Sequence, residues 1–131
     1  MIGTSEIYKT LSASSTVLSL LTRKGTSPNY VYNIEVAMVE PNDWGINDSS
    51  IIIYQVGPDT LDEIYDVNHT VNCRSNTEAK AKALARAVVA ALHRVTFSQM
   101  MFYCTLEQPI APADDTDNFN APVTVRVMGS K

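Results

Sequence analysis

Two cysteines, five glycines and a single tryptophan in 131 residues already leave several kinds of protein out of consideration. Cys73 and Cys104 are too few for a disulfide framework and lack the spacing of a zinc site, so they read as reduced, buried thiols. The glycines never group, which leaves no loop to cradle a phosphate. Nor is there an apolar run of roughly 18 residues, the length a helix needs to cross a membrane. Charge is also scarce. Charged side chains make up 18% of the chain, below the usual quarter, so more of the surface is neutral or apolar, which suits a protein covered by partners. The net charge of −4 and a pI near 5.0 lack the basic footprint of nucleic-acid binding. The one basic cluster, Lys80, Lys82, Arg86 and Arg94, falls on the water-facing side of an expected helix. Between Met1 and Leu21, Glu6 and repeated Ser and Thr interrupt the apolar stretch. That pattern does not resemble a signal peptide, and the protein is expected to stay where it is made.

What is present is periodic. Ile7, Leu11, Leu18 and Leu21 mark one helical face, widened by Val17 and Leu20, and predict a helix over 5–22. Its start is a Thr4 or Ser5 cap with Glu6 in the first turn, and Gly25 and Pro28 end it. Residues 29–39 are rich in β-formers, and Ile51–Val56 reads as a buried strand closed by Gly57 and Pro58. Between them, 41–49 gathers turn formers around Trp44. Residues 65–74 alternate apolar and polar without a break, which puts one face on a core and the other against water or a polar partner. A Ser75-x-x-Glu78 capping box then opens a helix over 79–94, with Ala81, Leu84, Ala85, Val88, Leu92 and Val95 on its apolar face. Residues 99–107 carry bulky side chains on both faces and predict a central strand or one with its outer face covered. A polar loop over 109–120 leads to a closing strand, 123–128. The expectation is one domain, 1–131, of α+β class. Four to five mostly antiparallel strands pack on two helices in the order α-β-β-β-α-β-β.

Candidate chemistry is thin. His69 lies on the apolar side of the best strand, where a histidine is commonly a satisfied core residue, since a catalytic one needs an orienting partner. His93 ends the second helix, where a cation suits the dipole. Neither cysteine is flanked by an oxyanion loop or nucleophile elbow. Asp114, Asp115 and Asp117 lack the ligand spacing of a calcium loop. Catalytic, metal and cofactor-binding residues are therefore all expected to be absent. Trp44 either plugs the edge of its own core or anchors an interface, where Trp is over-represented. Both long loops carry apolar anchors, so Trp44, Ile46, Asp114, Asp115, Asp117 and Phe119 are the candidate residues for a subunit or partner interface.

The run Glu6-Ile7-Tyr8-Lys9-Thr10-Leu11 resembles the opening helix of the tail terminator (tail completion) proteins of long-tailed bacteriophages. Tyr30-Val31-Tyr32, the strand 51–56, and Tyr65-Asp66-Val67-Asn68-His69-Thr70-Val71 leading into the alanine-rich helix 77–92 continue the likeness. As a pattern it covers nearly the whole chain. The resemblance implies a helix-flanked sheet assembled as a ring, of six subunits, on the last layer of the tail tube. Such a ring stops tube polymerisation, offers a docking surface to a head–tail connector protein, and surrounds a channel that DNA passes without sequence-specific binding. The family has no catalytic residue to carry over, and the connection 41–49 is longer here than in many relatives. Two other classes share these features: another virion connector or minor structural subunit, and a small cellular ligand-binding α+β domain.

Overall fold

The computed structural model describes residues 3–21, 23–24, 31–32, 34–37, 49–56, 64–97, 100–105, 111–112 and 119–130. Along the chain these form α1 (Thr4–Ser12), α2 (Ser15–Ser19), β1 (Arg23–Lys24), β2 (Val31–Tyr32), β3 (Ile34–Ala37), β4 (Ser50–Val56), β5 (Ile64–Ser75), α3 (Glu78–Leu92), β6 (Thr96–Phe97), β7 (Met100–Thr105), β8 (Ala111–Pro112) and β9 (Phe119–Ser130). This is the expected α+β class. Its spine is the antiparallel pair β5–β9, in register from Ile64 opposite Ser130 to Ser75 opposite Phe119. β4 adds antiparallel to β5 and β7 to β9. At the margins β3 runs parallel to β4, β6 extends β7, and β8 pairs with the start of β9. The main sheet thus runs β3-β4-β5-β9-β7-β6, while β1 and β2 form a separate two-stranded ribbon.

Because paired residues share a face, the register reads out the core in rows. Ile53, Val71 and Val123 form one row, His69, Val125 and Cys104 the next, and Val67, Val127 and Phe102 a third; all are buried. α3 lies over them and buries Ala81, Leu84, Ala85, Val88 and Leu92. Two of those five are alanine, which lets the helix axis approach the sheet. α1 and α2 complete the helical layer on the same side, with Ile7, Leu11 and Val17 at 0% exposure. The expected inner face is Tyr65, Val67, Val71, Val123, Val125 and Val127 under Leu84, Val88 and Leu92; the five valines and the helix residues are buried there, and the Tyr65 side chain lies outside the described residues.

Five local expectations change. The Thr4 or Ser5 cap does not form: Gly3 takes the cap position of α1 with no side-chain cap bond, and the Thr4 hydroxyl meets His69 instead. The first helix is broken at Ala13–Ser14, and the Ser14 hydroxyl accepts from the Val17 N–H at 3.3 Å. A run of serines offers the backbone such competing bonds, and the restart rotates the face so that Val17, rather than Leu18, is fully buried. The capping box does not form: Ser75 remains in β5, buried and hydrogen-bonded to Ser49 (2.8 Å), and Thr77 caps α3 by accepting from the Lys80 N–H at 3.2 Å. α3 ends at Leu92 rather than Arg94. Arg94 takes a left-handed conformation (φ 61°) that aims its N–H at the Phe102 carbonyl, 2.7 Å away. Finally, the polar loop expected over 109–120 includes β8 and the first residues of β9, paired as Ala111 with Asn120 and Pro112 with Phe119.

One glycine is required by geometry. Gly3 opens α1 at φ 88°, and a Cβ there would sit 2.9 Å from a methyl of Val127. The start of α1 therefore lies against Val127 of β9. The first turn is fastened to β5 as well, since the Thr4 hydroxyl and His69 Nε2 are 2.9 Å apart in a buried bond.

Candidate assembly surfaces

With all helices on one side, the other face of the sheet divides along its length. At one end Ile52, Asn72 and Arg74 are only 1–3% exposed. At the other, Val56, Asn68, Arg126 and Tyr103 make a cross-strand row, with Asp66, Met128 and Met101 in the row beyond. Here Val56 is 52%, Met101 38% and Tyr103 36% exposed. Arg126 and Asp66 join diagonally through two hydrogen bonds, Nε to Oδ1 being 2.8 Å. The guanidinium beside it holds the Asp66 carboxyl below the usual carboxylate range. Tyr54, Thr70, Thr124 and Thr105 separate the two ends. The open end is thus a mixed surface of threonine, asparagine, one ion pair and the exposed side chains of Val56, Met101 and Tyr103.

β7 was expected to be central or to have its outer face covered; in the single chain its outer side chains, Met101 and Tyr103, are exposed. Its far edge is finished by a side chain. β6 pairs only with Met100 and Met101, and one step on, His93 Nδ1 accepts from the Cys104 N–H at 3.1 Å. The same ring meets Tyr103 edge-on, centroids 5.9 Å apart. The helix-end position that suits a cation in the sequence is used here to present Nδ1 as an acceptor. His93 is an edge cap, a role invisible in sequence because its partner lies across a turn.

The other candidates fall as follows. Trp44, Ile46, Asp114, Asp115 and Asp117 lie outside the described residues. Phe119 starts β9 opposite Pro112 and Ser75 and is half-buried against the core. His69 is wholly buried and bonded to Thr4. It shares a row with Cys104, but Val125 stands between them. Burial pushes the Cys104 thiol up to about 12 and the Cys73 thiol higher still. Cys73 lies opposite Ala121 and Cys104 opposite Val125, on either side of β9. Strand geometry then puts their Cα atoms roughly 17 Å apart, too far for a disulfide, and both are free. Among the described residues no three His, Cys, Asp or Glu side chains gather as metal ligands, and no helix is long and apolar enough to cross a membrane.

No family model and no curated protein matches the chain. Among solved structures, a chain of the "Virion of native gene transfer agent (GTA) particle" is similar over 100% of both chains, at 18% identity and a TM-score of 0.54. The two share a fold along their full length.

Proposed function

We propose that the chain is a non-catalytic structural subunit of a virion, and within it a tail terminator. In this role it caps the tail tube as a ring of six, halts polymerisation and joins the tail to the head through a connector protein. The observation that carries the reading is the full-length fold likeness to a chain of a gene-transfer-agent virion. The opening helix and the alternating strand before the alanine-rich helix support it from the sequence side. So does the arrangement of the molecule, whose titratable core groups are spent on packing while one end of the outer sheet face is left open. The place implied is the head-proximal end of the tail, with DNA passing through the ring.

Deleting the gene and imaging the particles tests this directly. Tail tubes of uncontrolled length with unattached heads are expected, and purified protein added to such lysates should restore joined particles. Tubes of normal length beside unattached heads would instead indicate a connector. Normal infectious particles would refute a virion role.

A further inference from the structure

The charges of this chain are segregated. Residues 4–21 and 77–94, which supply the helical layer, hold five bases and two acids, whereas the rest of the chain holds the other five bases and twelve acids. A net charge of −4 therefore conceals a cationic side. It is densest on α3, where Lys80, Lys82 and Arg86 are exposed together with Ala79, Ala83 and Ala90, opposite the stripe that the helix buries. At about 100° per residue the three alanines form the ridge of the helix. Lys80 stands on one flank, and Lys82 and Arg86 stand one turn apart on the other. Glu78, in the first turn, is the one acid of α3. Of the other acids whose side chains are described, Glu6 is half-buried on α1, and Asp66 lies on the far face of the sheet, already paired with Arg126.

We infer that the exposed ridge of α3 is a contact surface for the phosphate backbone of duplex DNA, bound without regard to sequence. Composition decides between the two kinds of polyanion that these bases could meet. An acidic protein surface would be joined through buried aromatic or aliphatic anchors, which carry the energy of protein interfaces, and lysine is depleted from such interfaces. The ridge offers two lysines, one arginine and alanines, with no anchor among them. Phosphates ask only for point charges and close approach, and a ridge of methyl groups lets a backbone come within reach of the bases on both flanks. The alanines present no hydrogen-bonding group to a base edge, so the contact positions without specifying. Excess acid elsewhere opposes the approach at range, but at physiological salt exposed charges more than about 8 Å apart are largely screened, and the neighbouring bases set the contact. The contact stands on this arrangement of charge alone; its use, on DNA in transit through a tail, rests on the reading proposed above.

The test is fluorescence anisotropy of a labelled 20-base-pair duplex titrated with the full chain at 50 and 200 mM NaCl. Each neutralised phosphate contributes about −0.9 to the slope of log affinity against log salt, so three contacts should weaken binding about 40-fold between the two conditions. K82Q/R86Q, checked for folding by circular dichroism, leaves one of the three contacts. It should bind at least about tenfold more weakly at 50 mM and lose only about 3.5-fold on going to 200 mM. Two duplexes of unrelated sequence should bind alike. A wild type that binds no duplex at 50 mM NaCl, or a K82Q/R86Q variant that binds like the wild type, overturns the inference and leaves the tail reading standing. A strong preference for one duplex overturns its indifference to sequence. If the wild type binds a poly-glutamate peptide and no duplex, the occupant is an acidic protein segment and the inference fails. Duplex binding together with normal particles after gene deletion would sink the tail reading and leave the contact.

Discussion

Leu84→Ala is the most informative single change for the fold, because Leu84 sits midway along α3 on the centre of the sheet at 1% exposure. Three buried carbons are removed, worth about 0.8 kcal/mol each in transfer free energy, or roughly 2.4 kcal/mol. The void adds to this at about 24 cal/mol per Å³. Its neighbours restrain collapse: Ala81 and Ala85 already hold the helix close to the sheet, and Val71, Val123 and Val125 are on paired strands that cannot shift singly. If roughly 60 Å³ persists, the cavity adds about 1.4 kcal/mol, for a total near 4 kcal/mol. With about 2.1 cal/mol/K of unfolding entropy per residue, that lowers the melting temperature by roughly 14 °C for a chain this size. Urea unfolding with an unchanged m-value is the assay, run at a concentration where the protein is monomeric. The exposed control Ala83→Ser should stay within about 0.5 kcal/mol. A loss below about 1 kcal/mol for Leu84→Ala would refute the seating of α3 on this sheet.

Gly3→Ala should cost about 1–3 kcal/mol in the same assay, from the left-handed backbone and the encroachment on Val127; a neutral outcome would mean the start of α1 does not lie against Val127. Thr77→Ala should remove about 1 kcal/mol as a lost cap, whereas Lys80→Ala, which keeps the N–H that Thr77 caps, should not; equal losses would refute the cap. The thiols should make stability fall with alkali. Each is held neutral in the fold, so above pH 9 the unfolded chain releases protons that the folded chain keeps, withdrawing up to about 1.4 kcal/mol per pH unit per thiol. Between pH 9 and 11 the C73A/C104A variant should therefore lose stability less steeply than the wild type. Native protein should also be inert to a thiol reagent at pH 8 and yield two thiols when denatured without reductant.

Much of the core was legible because alternation and helical spacing are local signals. Val67, Val71, Val123, Val125 and Val127 announce a face whatever the strand order, and Leu84, Val88 and Leu92 announce the stripe that covers it. What escaped was decided by partners distant in sequence. Ser75 has the right neighbours for a capping box, but the pairing of β5 with β9 extends through it and draws it into the sheet, so the cap moves to Thr77. His93 has a helix-end position that suits a cation, but the N–H of Cys104, 11 residues on, demands an acceptor. The break at Ser14 depends on one side-chain bond against a helical pattern that runs on past it. At the candidate interface, composition marked loops holding Trp44 and Phe119. Met101 and Tyr103 went unmarked because bulky residues on both faces of a strand also describe a covered strand, and only the layer order distinguishes the two.

The open end of the outer sheet face helps to decide what kind of assembly this molecule can enter. Three side-chain rows over four strands, at about 6.8 Å per row and 4.8 Å per strand, span roughly 400 Å². A stable pairwise interface needs about 800 Å² from each partner, so two copies joined through this face alone would be held weakly. Its composition agrees, since Thr70, Thr124, Thr105 and the Asp66–Arg126 pair give it the polarity of a surface that must exist both wetted and covered. If the chain is the virion subunit proposed above, stable incorporation therefore has to draw on additional area elsewhere on the molecule, because this face alone falls short of what a lasting pairwise contact needs.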